Sequence, residues 1–313
     1  MIDHPSHSHP SPSGPAPSVE APSVKAPSAK SPSVDVVVCV HNALPDVQNC
    51  LNSILATDYA GPWSLIVIDD GSAAETRDWL QTFTATEPRA TLIRRDQAGG
   101  YTIAANTGLR ASTAGFTALL NSDTIVPARW LTKITALFAA RPDVGIVGPL
   151  SNAASWQSVP ELSAPEGGWS VNPLPEGWDV ERMDTLVEAA SAHLPTPPRV
   201  PLLNGFCFTV RAAMLDDIGL LDEQGFPRGY GEEDDLCMRA ALAGWGLSVA
   251  TDTYVFHAKS KSYGAKTRSE LSARGQVELK RKHTEARLAR SVATMRHNPL
   301  LAEMRERVAE LMP

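Results

Sequence analysis

The feature that most constrains this chain is a repeated pairing of a short β-branched run, closed by a polar cluster, with a helix-spaced apolar pattern behind it. Val34-Asp35-Val36-Val37-Val38-Cys39-Val40 is such a run and gives way to His41-Asn42. Val47, Cys50, Leu51, Ile54 and Leu55 then recur at the spacing of one helix face. The same reading predicts strands over 63–68, 90–94, 117–120 and 144–148, with helices near 74–84, within 99–110 and over 128–140. The second strand runs into Asp69-Asp70-Gly71-Ser72 and the fourth into Asn121-Ser122-Asp123. Runs apolar throughout suit strands covered on both faces, and helical crossovers make those strands parallel. The expected fold is therefore α/β, a mostly parallel sheet sandwiched by helices. Ligands of such sheets sit beyond the carboxyl ends of the strands, which is where His41-Asn42, Asp69-Asp70 and Asn121-Ser122-Asp123 fall.

From 151 to 201 the periodicity weakens. Trp156, Trp169 and Trp178 stand among Pro, Gly and acidic residues, so an irregular insertion is expected with one helix near 183–192. A strand is predicted over 202–210, then a short helix ending near Gly219. A further helix starts at Glu232 behind Gly229-Tyr230-Gly231, and a strand over 247–250 leads to Thr253-Tyr254-Val255-Phe256-His257. Past Gly264 the pattern is helical. Three parts follow: an arm over 1–33, a domain over 34–264 containing the 151–201 insertion, and a basic helical extension over 265–313.

Composition bounds the function. The 313 residues carry a formal net charge of −7, which disfavours a nucleic-acid partner. Cys39, Cys50, Cys207 and Cys237 form no C-x-x-C pair, so they are expected as buried small residues in a reducing compartment. No apolar run reaches the ~18 residues that span a bilayer. The chain is thus expected in the cytoplasm, peripherally at the inner membrane face if its basic end engages lipid. The Pro/Ser arm has little to bury, and His4, His7 and His9 are expected as parts of a flexible tail. Between Lys259 and Arg296, eleven Lys/Arg face three Glu. That stretch is either a solvated helix face or a contact for anionic lipid or a phosphorylated acceptor.

Four groups could do chemistry. Asp123 could hold a divalent cation that bridges phosphates, since Mg²⁺ and Mn²⁺ take one or two protein carboxylates plus phosphate oxygens; its alternative is a helix cap. Glu232-Glu233-Asp234-Asp235 places four acids at a helix start, more than the helix dipole calls for, and their repulsion raises a proton affinity as a general base requires. His257 is either a satisfied structural histidine or a further ligand to that cation. Asp70 could accept from a pyrimidine imide or close an Asx turn before Gly71.

Taken in order, these clusters resemble the family 2 inverting glycosyltransferases. The resemblance rests on Val36-Val37-Val38-Cys39-Val40-His41-Asn42, Ile66-Val67-Ile68-Asp69-Asp70-Gly71-Ser72, Ala104-Ala105-Asn106-Thr107-Gly108, Leu119-Leu120-Asn121-Ser122-Asp123-Thr124, Asn204-Gly205-Phe206, Gly229-Tyr230-Gly231-Glu232-Glu233-Asp234-Asp235-Leu236 and His257. It implies a GT-A (Rossmann-like) fold with an acceptor-side insertion, and a UDP- or dTDP-type nucleotide-sugar donor. Val40, His41, Asn42, Asp70, Asn106, Asn121 and Ser122 would line the donor site. Asp123 and His257 would hold Mn²⁺ or Mg²⁺. Glu233 or Asp234 would be the base, Glu233 standing where the family has its catalytic Asp. The acceptor would be a saccharide, glycolipid or glycoprotein in surface-polysaccharide or glycoconjugate synthesis, with Trp156, Trp169 or Trp178 available to stack on it. A nucleotide-sugar-binding scaffold without turnover and a nucleotidyltransferase are the alternatives. The second lacks a Gly-rich phosphate loop after the first strand.

Overall fold

The computed structural model describes residues 31–259 and 265–313, with the side chains of 265–268 excepted. The expectations for the arm and its histidines therefore lie outside the described residues, apart from 31–33. In chain order the elements are β1 (Val34–Val40), α1 (Leu44–Leu55), β2 (Trp63–Asp70), α2 (Ala74–Thr86), β3 (Ala90–Arg95), α3 (Tyr101–Ala111) and β4 (Phe116–Asn121). Then come β5 (Thr124–Ile125), α4 (Trp130–Ala140), β6 (Val144–Leu150), α5 (Val180–Ser191), β7 (Cys207–Arg211), α6 (Ala212–Ile218) and α7 (Glu232–Leu242). The last are β8 (Gly246–Tyr254), β9 (Phe256–His257), α8 (Ala265–His283), α9 (Glu285–Arg296) and α10 (Pro299–Leu311).

Seven strands form one sheet in the order β3-β2-β1-β4-β7-β6-β8. Only β7 runs against its neighbours β4 and β6; the other adjacent pairs are parallel. Alternate residues of β1 enter separate cores. Val34, Val36, Val38 and Val40 join the cluster with α1 and α4, while Val37 faces α3, α5 and α7. The sheet is thus sandwiched by helices, as the unbroken apolar runs require. Small residues bring α3 close to β1: a Cβ on Gly108 would stand 2.2 Å from Val37 Cγ1. That contact explains Ala104-Ala105-x-x-Gly108 as a packing face.

The sequence reading missed β5 and β9, two-residue strands paired antiparallel with Thr124 opposite His257. It also began β7 five residues early. The backbone from Asn204 to Phe206 bonds to side chains instead: Asn204 N–H donates to Gln157 Oε1 and Phe206 N–H to Asn204 Oδ1. In the 151–201 segment the regular pieces are the one-turn helix Ser155–Gln157 and α5. Trp156 packs edge-on against Trp169, and Arg182 lies over Trp178.

The basic C-terminal stretch spends much of its charge internally. Lys280 pairs with Glu285, Arg281 with Glu278, and Lys282 with both Asp222 and Asp235. Among the described residues no helix is long and apolar enough to cross a membrane.

Candidate active site

The carboxyl ends of β1, β2 and β4 open onto a cleft of about 690 Å³. Val40 and His41 line it from β1, Asp70 from β2, and Asn121, Ser122 and Asp123 from β4. Glu232 and Glu233 face it from the start of α7, and His257 from β9. Asn42, Asn106 and Asp234 are not part of its lining.

The residues around Asp70 are closely bonded. His41 donates Nδ1–H to the Asp70 carbonyl at 2.8 Å. Asn42 Oδ1 accepts from Ala73 N–H at the start of α2, and Asn42 N–H donates to Ser72 Oγ. Asn42 thus ties two strand-end turns together. The Asx turn belongs to Asp69, whose Oδ1 accepts from Ser72 N–H and whose Oδ2 pairs with Arg94. The Asp70 carboxylate accepts from Gly99 and Gly100 N–H at 2.8–3.1 Å and pairs with Arg95 at 3.0 Å. Those bonds engage most of the roughly four lone-pair sites of a carboxylate.

Asn106 is buried, and its amide is committed elsewhere. Nδ2 donates to Leu221 O and Glu223 Oε1 while Oδ1 accepts from Leu221 N–H. Asn106 stands outside the cleft lining as a clamp between α3 and the 221–223 turn, because a buried amide takes the nearest backbone partners.

His257 is held from three sides. Asn152 bonds both its N–H and its carbonyl, the ring stacks on Phe206, and Nδ1 stands 3.0 Å from Ala153 O. With Nδ1–H donated to that carbonyl, the Nε2 lone pair faces Asp123 Oδ1 at 3.4 Å. Two ligands each roughly 2.1 Å from one ion stand about 3 Å apart, so this pair suits a shared divalent cation. The carbonyl behind Nδ1 is the usual outer partner of a metal-binding imidazole. No group of three or more His, Cys, Asp or Glu converges among the described residues. Such an ion would leave room in its shell for phosphate and water oxygens.

The turn into α7 passes through three successive positive φ values, 90° at Gly229, 69° at Tyr230 and 126° at Gly231. This left-handed path needs its glycines and strains Tyr230. It delivers the four acids into different surroundings. Glu232 is buried, and its Oε2 has no hydrogen-bond partner among the described residues. Burial, then the charge of Glu233, push its carboxyl well above the ordinary range. Glu233 is half-buried against Gly205 and accepts from Gly231 N–H at 3.2 Å. Burial and Glu233 push Asp234 up to about 8. Asp235 is fully buried, and burial alone would raise its carboxyl. Contacts at 2.7–2.8 Å from Lys282, Arg239 and His283 instead hold it below the ordinary range.

Tyr101, Arg228 and Lys259 also line the cleft and escaped the sequence reading. A Tyr after Gly99-Gly100 and an Arg before Gly229 were the available signals. The three tryptophans considered for stacking do not line it.

A seven-stranded sheet with one antiparallel strand, bearing its cleft across the carboxyl ends of β1, β2 and β4, defines a GT-A architecture. Residues 35–178, a little under half of the chain, match the glycosyl transferase family 2 domain. It is 24% identical to the protein y4gI of Sinorhizobium fredii over 79% of its length. It is also 24% identical to the glycosyltransferase AglE of Haloferax volcanii, again over 79%. It spans 26% of the first relative and 73% of the second. Among solved structures it resembles the mannosyltransferase PcManGT from Pyrobaculum calidifontis, in complex with GDP-Man and Mn²⁺. The TM-score there is 0.53 at 17% identity, covering 91% of this chain and 87% of that one.

Proposed function

We propose that the protein transfers a sugar from a nucleotide-diphosphate sugar to an acceptor hydroxyl with inversion. The observation that carries this reading is that Asp70, Asp123, Glu233 and His257, spread over 188 positions of sequence, line one cleft. Asp123 and His257 would hold Mn²⁺ or Mg²⁺, which when bound would neutralise charge on the departing diphosphate. Val40, His41 and the Asp70 end of the cleft would take the base and ribose, beside Asn121 and Ser122. A pyrimidine imide would have to share the Asp70 carboxylate with Gly99 and Gly100.

Glu233 is the base in this reading. It lines the cleft where Asp234 does not, and it accepts a hydrogen bond from Gly231 N–H of its own loop. It would remove the acceptor proton as that oxygen attacks the sugar from the face opposite the diphosphate, so a single displacement gives inversion. Buried Glu232 beside it, holding its proton more tightly than an ordinary carboxyl, would keep a second negative charge off that rim. The acceptor would be a saccharide or glycoconjugate.

The test is a panel of nucleotide sugars with Mn²⁺, read by thermal shift for binding and by nucleoside-diphosphate release for turnover, with saccharide acceptors added. One donor should raise the melting temperature and turn over. The Glu233→Gln variant should keep the shift and lose about 10²–10⁴-fold in rate. Full turnover in that variant would remove Glu233 from its role. Binding without turnover in the unaltered protein would leave only a scaffold.

A further inference from the structure

Beside the cleft lies a second cavity of about 300 Å³, walled by residues 225–229 on one side and by α8 on the other. Close packing makes it: a Cβ on Gly275 would fall 1.8 Å from the Tyr230 carbonyl oxygen, so α8 can approach the loop only at a glycine. Arg228 lines the cavity from the loop and Arg274 from the helix, with Phe226 and Leu271 as its apolar walls. No acid lines it among the described residues. Close by, the Glu232 carboxylate stands 3.6–3.7 Å from where a Gly229 Cβ would be, and burial and Glu233 push it well above the ordinary carboxylate range. Asp222 and Glu278 pack against Gly225 and are paired with Lys282 and Arg281 respectively. Neither Arg228 nor Arg274 makes an ion pair among the described residues, in a chain whose overall charge is −7. Arg228 and Gly229 line both this cavity and the cleft. The Arg228-Gly229 stretch of the loop is therefore a wall common to both.

We propose that this cavity binds a phosphate or diphosphate group carried by the acceptor. An arginine on each wall, both exposed, suits the forked, bidentate recognition of phosphate oxygens. The word acceptor rests on the function proposed above, in which the donor diphosphate belongs with Asp123 and His257. The anion site itself does not.

The probes are inorganic pyrophosphate and geranyl diphosphate, titrated calorimetrically into the full chain with a chelator present, so that no metal ion recruits them to Asp123. Wild type should bind, and Arg228→Gln and Arg274→Gln should each weaken binding about tenfold or more, the loss of one charge-assisted pair. Arg274→Lys should recover part of it, and unchanged melting curves would show that the variants fold. Tighter binding of the geranyl ester identifies a lipid-linked phosphate, and equal binding a water-soluble one. Equal affinity in wild type and both Gln variants would overturn the site. So would loss of binding in Asp123→Asn alone, which would put the anion at the donor position. Pyrophosphate binding needs no turnover, so failure of sugar transfer leaves this result standing. Transfer without chelator-resistant binding sinks only this inference.

Discussion

Asp70 at the end of β2 and Glu232 and Glu233 at the start of α7 line the same cleft, and the acids at those two ends are treated in opposite ways. Asp69 and Asp70 are well satisfied: backbone N–H groups and Arg94 bond their oxygens, and Arg95 stands beside Asp70 as an ion pair. Glu232, Glu233 and Asp234 have almost nothing beyond one loop N–H, and Glu232 and Asp234 hold protons more tightly than ordinary carboxyls. A saturated carboxylate fixes geometry, because moving it breaks several charge-assisted bonds at once. A poorly satisfied one keeps its capacity to exchange a proton, at a cost in stability. Within α7 the contrast recurs over two residues, since Asp235 is bonded to Lys282, Arg239 and His283 while burial and Glu233 push the Asp234 carboxyl up. One helix turn thus serves both as an anchor for α8 and as the proposed reactive rim.

The sharpest way to break this contrast is at the anchor. Asp235→Asn would leave Lys282, Arg239 and His283 converging on a neutral amide in a fully buried place. Removing one partner of a buried pair costs about 3–5 kcal/mol. Urea unfolding at pH 7 should show a loss of that order, and hydrogen exchange should show α8 opening first. Because the folded Asp235 binds its proton more weakly than the unfolded one, its contribution is present above about pH 4. It fades as pH falls further through the lowered folded value. A variant as stable as wild type at pH 7 would mean that α8 is held by packing alone.

The sequence carried most of the sheet and part of the site, for reasons visible in particular residues. Unbroken runs such as Val34–Val40 can only be strands buried on both faces, and Asp70 and Asn121 close theirs, so the cleft's floor was legible. His257 reaches Asp123 through β5 and β9, a pairing of two residues with two across more than a hundred positions, and no local pattern announces that. Asn106 entered as a site residue only through the family resemblance of Ala104-Ala105-Asn106-Thr107-Gly108. Its partners, Leu221 and Glu223, are remote in sequence. The division of labour within Glu232-Glu233-Asp234-Asp235 depends on Lys282 and His283, which lie nearly fifty residues on. Periodicity gave the faces of α7 but not their occupants.

On the saturated side, Asp70→Asn turns an acceptor of two backbone N–H groups into an amide that presents N–H to one of them. The Gly99-Gly100 turn should loosen, since hydrogen bonds to a charged group are worth about 1.5–3 kcal/mol each. If Asp70 shapes the donor end, KM for the nucleotide sugar should rise about 10- to 100-fold, the kinetic equivalent of such a loss, while kcat changes much less. A fall in kcat with KM unchanged would move Asp70 from shaping the donor pocket to acting on the reacting atoms, and the contrast between the two rims would lose its meaning.

The smallest effect separates Asp234 from Glu233. Asp234 is held near pH 8 in the folded chain against about 3.8 for an ordinary aspartate, so folding takes up a proton between those values. Stability contributed by the protonated form is complete below about pH 4 and is lost as pH rises toward 8. Asp234→Asn removes that loss. Its unfolding free energy in urea should match wild type near pH 4 and exceed it at pH 8, by an amount on the order of 1 kcal/mol for a partly solvated side chain. Transfer should survive, because the cleft is lined by Glu233 and not by Asp234. A collapse of transfer comparable to that of Glu233→Gln would make Asp234 the base. The proton-exchanging role would then sit one residue further along α7, and the loop bond from Gly231 would mark Glu233 as another positioning acid like those at the end of β2.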